Sequence, residues 1–262
     1  MESEAPRIFS PEYYRRLDWI EQKHPWSRHM QRLALALLDR FGGGSMTRIL
    51  DAGCGAGYFT LMWREQSRPR LAVGLDSAFE GLALCRGRGL KDVVSGSVAA
   101  LTFRTAVFDA VYCADVLQHL DPPAAARTLA EFARALRSGG LLLIRTAARR
   151  GIGAKKHRDT ADYQQWEPEK LRAQLEPCGF RIEWMSLINW LPSLAADIRA
   201  CRRPAPAGDV GLHVAAAGAP SGPGGLSRLL LAAYWAMERV LLFRLGWRLP
   251  GGHTLMCVAR KL

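Results

Sequence analysis

The hydrophobic pattern of the chain changes period early. "SPEYYRRLDWIEQ" opens with Ser10 as an N-cap residue and Pro11 at the first helical position, which together satisfy the loose N–H groups of a helix start. "WSRHMQRLALALLDRF" then puts Met30, Leu33, Leu37 and Leu38 on one side at helical spacing, and the glycines from Gly42 stop it. From Thr47 onward, short apolar runs alternate with longer helical patterns. "TRIL", "LAVGL", "KDVVSG", "FDAVYCA" and "GGLLLIRT" read as strands. "YFTLMWREQ", "SAFEGLALCRG" and "PPAAARTLAEFARAL" read as helices, the last capped by Asp121. That alternation predicts parallel βαβ units with right-handed crossovers. A helix near "EPEKLRAQLEPCG" and a strand "FRIEWMSLIN" follow, then a helix-prone "LPSLAADIRAC" and a Pro-, Gly- and Ala-rich loop over 202–225. An apolar helix over 226–245 and a last strand, "HTLMCVARK", complete the pattern.

The stretch "RILDAGCGAGYFT" carries the candidate chemistry. A strand runs into Asp51, glycines follow at 53, 55 and 57, and a helix begins. A helix N-terminus exposes unpaired N–H groups and a positive partial charge, and glycines let a ligand touch backbone. The spacing is G-x-G-x-G, whereas a dinucleotide fingerprint requires G-x-G-x-x-G.

This D-x-G-x-G-x-G run resembles the first motif of class I S-adenosylmethionine-dependent methyltransferases. Three further segments match in order: "VGLDSAF" with Asp76 at a strand end, "VVSGSVAALTF", and "FDAVYCADVLQHL" followed by "LAEFARALRSGGLLLI". The opening helices and the tail "GGHTLMCVARK" are similar to the simple methyltransferase domain 11 branch of that family. The resemblance implies an α/β, Rossmann-like, seven-stranded sheet of order 3-2-1-4-5-7-6 with strand 7 antiparallel. It divides the chain into an N-terminal helical cap (1–44), a cofactor-binding core (45–190), a helical insertion or lid (191–250) and the final core strand (251–262).

The implied cofactor is S-adenosylmethionine. Asp51, Gly53, Cys54, Gly55 and Gly57 would receive its methionine part, with Asp51 orienting the loop or accepting from the ammonium. Asp76 and Ser77 would meet the ribose. Ser97 stands where relatives carry an acid for the adenine amino group, so adenine would rest mainly on Val98 and Leu101. Cys113 and Asp115 would lie near the sulfonium at the end of strand 4. His119 is the candidate base, with His157 and Tyr163 as rivals in the loop after strand 5. Trp26, in the cap, reads as packing. No metal is expected, because the metal-assisted type needs an Asp-Asn pair and the lone asparagine, Asn189, follows Ile188.

Composition narrows the partner. Net charge is +12, which invites an anionic partner such as nucleic acid, an acidic substrate or a lipid surface. The run from Arg145 to Arg158 is basic and free of acids. Amino-methylating nucleic-acid enzymes place an Asp/Asn-Pro-Pro-aromatic motif after strand 4, where this chain has "CADV". The expected function is therefore methylation of a small, largely apolar acceptor able to carry an anionic group, a phenol, quinone or natural-product scaffold, with oxygen preferred. An RNA methyltransferase and a non-methylating cofactor binder are the alternatives. The helix 226–245 suits a lid, a core helix or peripheral membrane contact. An acidic N-terminus and six cysteines without paired spacing suggest a cytoplasmic protein with free thiols.

Overall fold

The computed structural model describes residues 10–43, 46–148, 164–192, 194, 225–243, 249 and 251–262. Its strands are β1 (Arg48–Ala52), β2 (Leu71–Asp76), β3 (Val93–Ser95), β4 (Phe108–Ala114), β5 (Leu136–Ala147), β6 (Phe180–Ile188) and β7 (Thr254–Lys261). They form one sheet in the order β3-β2-β1-β4-β5-β7-β6. All neighbouring pairs are parallel except β5–β7 and β6–β7, which are antiparallel. The order reverses between β1 and β4, and in open α/β sheets the crevice at such a point, beyond the strands' carboxyl ends, receives the ligand.

The helices are α1 (Pro11–Lys23), α2 (Pro25–Gly42), α3 (Tyr58–Ser67), α4 (Phe79–Gly87), α5 (Pro122–Ala135), α6 (Pro168–Leu175) and α7 (Gly225–Phe243). The central strands are largely apolar because both faces are covered. Along β4, Val111 and Cys113 face a core that includes Leu129 and Phe132 of α5 and Leu171 of α6. Ala110 and Tyr112 face the other core, with Met30, Leu33, Leu37 and Leu38 of α2 and Trp63 of α3. The apolar side read from the sequence in α2 is thus packed on the sheet itself. Helix α5 starts as expected, with Asp121 accepting from Ala124 N at 2.6 Å.

Helix α1 lies across the carboxyl end of the sheet, with Ser10 capping it by accepting from Tyr13 N at 3.1 Å. Tyr14 is buried there. In α7, Trp235, Glu238 and Leu242 are buried, while Leu229, Leu230, Met237 and Val240 are exposed. Its acid therefore points inward, where Glu238 accepts from Asn189 N at 2.7 Å and the Tyr234 hydroxyl at 2.5 Å. His29 of α2 stacks on Trp235 at 4.8 Å, and burial pushes its imidazole down to about 4. The expected loop over 202–225, up to residue 224, and nearly all of "LPSLAADIRAC" lie outside the described residues.

Candidate cofactor and active site

The bend after β1 is set by glycine. Gly53, Gly55 and Gly57 all have positive φ, at 84°, 56° and 79°. At Gly53 a Cβ would also run into Val116 Cγ2, so the loop can lie this close to the segment after β4 only without a side chain. Gly57 begins α3, and a Cβ there would meet Cys85 Sγ and Leu90 Cδ1 at 2.7 Å.

The bend's N–H groups are used within the protein, which corrects the expectation of an N–H-lined cradle. Gly53 N and Cys54 N donate to Leu75 O at 2.7 and 3.0 Å, and Gly57 N donates to Cys54 O at 2.8 Å. Gly55 N donates to Asp76 Oδ2 at 2.8 Å. The carbonyls are engaged as well: Cys54 O accepts from Gly57 N, Gly55 O from Cys85 Sγ and Ala56 O from Arg88 Nη1.

A cavity of about 350 Å³ opens over this bend at the β1/β4 reversal. Asp51, Gly53, Cys54, Gly55, Asp76, Ser77, Ser97, Val98, Asp115 and His119 all line it. Asp51 is buried and accepts from Thr60 Oγ1 at 2.6 Å; burial, eased by that bond and opposed again by Asp76, pushes it up to about 7. Asp76 joins three segments: it accepts from Gly55 N, from Ala78 N at 3.0 Å and from the Tyr14 hydroxyl at 3.0 Å. Ser97 Oγ accepts from Ala99 N at 3.2 Å.

Two expected residues stand elsewhere. Cys113 is fully buried among the β4–α5 contacts and does not line the cavity; burial pushes its thiol well up, as expected of an inert core cysteine. Gly57 shapes the start of α3 and also lies off the cavity wall. His157 and Tyr163 fall outside the described residues.

Several wall residues were not anticipated. Tyr14, Leu17, Ile20 and Glu21 come from α1, Trp26 and Gln31 from α2, and Arg145 from the end of β5. Arg145 pairs with Asp115 at 2.5 Å and lies over the Trp26 ring at 5.6 Å, which gives Trp26 a place in the cavity wall besides packing. Spacing held a signal for α1, since Tyr14, Leu17 and Glu21 share one helical side. Glu21, Asp51, Asp76 and Asp115 thus surround the cavity against one guanidinium. That donor set fits a nucleoside carrying positive charge, and S-adenosylmethionine has an ammonium and a sulfonium.

Comparison with known proteins agrees. Residues 50–144 match the methyltransferase domain family. Over that segment the chain is similar to S-adenosylmethionine-dependent methyltransferases. Among curated relatives, the malonyl-(acyl-carrier protein) O-methyltransferase of Serratia marcescens is 38% identical over 103 residues, covering 38% of each chain. The protein of the same name from Hamiltonella defensa is 30% identical over 119 residues, 45% of each chain. The matched segment thus spans less than half the length of these relatives. Among solved structures, the (4+2)-cyclase SpnF superposes with a TM-score of 0.59 at 21% identity, covering 91% of this chain and 83% of that one. Phosphoethanolamine N-methyltransferase 2 of Haemonchus contortus gives 0.60 at 19% identity, covering 96% and 57%. Among the described residues, no helix is long and apolar enough to cross a membrane.

Proposed function

We propose that this chain transfers the methyl group of S-adenosylmethionine to an oxygen of a small, largely apolar acceptor, such as a phenol, quinone or natural-product scaffold. The observation that carries the reading is the arrangement around Asp76: its carboxylate accepts from the N–H of Gly55 in the glycine bend, and acids from four segments line the cavity above. Asp76 and Ser77 would hold the ribose, Ser97 and Val98 the adenine, and Asp51 with Gly53 and Gly55 the methionine part.

When bound, the cofactor supplies a methyl group already activated by the positive sulfur it leaves. The protein's own task is then alignment, exclusion of water and handling of one proton. His119, on the cavity wall just after β4, is placed to take that proton from an acceptor hydroxyl. Ile20, Trp26 and Leu120 line the same space and keep it dry. Arg145, held by Asp115, would meet an anionic oxygen of the acceptor. The relatives' name, an O-methyltransferase acting on a malonyl group, supports oxygen as the atom methylated and an acid group on the acceptor. The exposed apolar side of α7 together with net charge +12 supports peripheral contact with an anionic lipid surface.

The test is incubation of the purified chain with isotopically labelled methyl donor and a panel of phenols, quinones and malonyl thioesters. Label in an ether or ester product is expected. Label only in amine or RNA acceptors, or none in any acceptor despite cofactor binding, would overturn the reading.

A further inference from the structure

Helix α1 brings an acid into the cavity. Glu21 follows Leu17 by four positions and Tyr14 by seven, so burying the Tyr14 side of α1 turns Glu21 inward as well. Its Oε2 is buried without a hydrogen-bond partner. Its Oε1 lies 3.6 Å from where a Cβ on Gly55 would stand, directly over the glycine bend. The charged groups facing it are Asp51 from β1, Asp76 from β2, Asp115 after β4 and Arg145 from β5. Arg145 is already engaged by Asp115. Glu21 as a whole is half-buried, but a carboxylate oxygen that is buried and unmet is costly unless the group stays neutral or a cation arrives.

We propose that Glu21 is the counter-ion for the ammonium group of the cofactor's methionine part, and that docking of this ammonium converts the Glu21 carboxyl to carboxylate and sends its proton to solvent. The proposal rests on the S-adenosylmethionine reading above and adds to it a cap residue that senses the amino-acid end of the ligand. No other bond changes in the step. Without a cation beside it, burial first and the Asp51 charge second push Glu21 up to about 8, against the pull of Arg145, so at pH 7 it holds its proton. An adjacent positive charge favours the ionised form, and the direction is therefore proton release on binding.

Calorimetry at pH 7, in buffers of different ionisation enthalpy, measures that release. S-adenosylhomocysteine carries the ammonium, and 5′-methylthioadenosine is the same nucleoside without it. The first is expected to release close to one proton and the second none, with the release shrinking as pH rises through about 8. Glu21→Gln is expected to remove most of the release, leaving at most the share of Asp51, whose carboxyl sits at about 7, and to weaken S-adenosylhomocysteine roughly tenfold or more, with methylthioadenosine unchanged. Equal release with both ligands would overturn the proposal. So would release that survives in Glu21→Gln but disappears in Asp51→Asn. The wild-type ligand pair decides the matter even if the variant does not fold. No heat with either ligand would instead sink the cofactor reading, and this proposal with it.

Discussion

The Tyr14 hydroxyl donates to Asp76 Oδ1 at 3.0 Å, tying the first helix to the end of the second strand across sixty-two positions of sequence. Oδ1 also accepts from Ala78 N, so its lone pairs are both engaged, whereas Oδ2 accepts only from Gly55 N. A ribose hydroxyl thus has one free position on Asp76 and competes with Tyr14 for another.

Tyr14→Phe removes that competitor and one hydrogen bond to a charged group. Stability without cofactor should fall by about 1–3 kcal/mol, read from denaturant midpoints. Affinity for S-adenosylhomocysteine should rise or hold. A tenfold loss would show instead that Tyr14 sets the orientation of Asp76.

Asp51 predicts a pH dependence whose sign can be worked out. Its folded value is about 7, above the ordinary 3.8 of an aspartate, so between these the unfolded chain gives up its proton first. The native state then binds more protons, and its contribution to stability declines as pH rises from about 4 to about 7. Asp51→Asn keeps an acceptor for Thr60 and carries no charge. The variant should match the wild type near pH 4 and exceed it at pH 8 by on the order of 2–4 kcal/mol, in urea titrations without ligand. Equal pH slopes in the two proteins would show that Asp51 is ionised in the native state throughout.

Much of the architecture was legible because its physics is local. Apolar runs covered on both faces marked the central strands, and Ser10 and Asp121 marked two helix starts. Glu21 and Arg145 were not legible as cavity residues. An acid on a polar helix reads as solvated, and an arginine closing "LLLIR" reads as the end of a strand, until tertiary closure puts both inside. Cys113 erred for a related reason: when both faces of a strand are buried, the sequence does not say which face a residue takes.

Ser97→Asp keeps the acceptor for Ala99 N and adds a carboxylate at the adenine end of the cavity. Charge-assisted bonds exceed neutral ones, so the variant should bind S-adenosylhomocysteine as tightly as the wild type or more so. A loss of tenfold or more in calorimetry would show that the adenine amino group does not approach this residue.

His119→Ala should separate proton transfer from binding. With a hydroxyl acceptor, kcat should fall about 100-fold while the dissociation constant of S-adenosylhomocysteine holds. A proportional loss in cofactor affinity would assign His119 to binding.

Strand β7 occupies an interior lane between β5 and β6 although it follows both in the chain. Residues 180–188 therefore leave the ribosome with no neighbour on the sheet, and β5 waits beside an open flank, until residues 254–261 emerge. Thr254, the first residue of that insert, is also a wall of the ligand cavity. Assembly of the ligand cavity in this way waits for residues 254–261, and a nascent chain stalled before them would expose two unpaired strand edges.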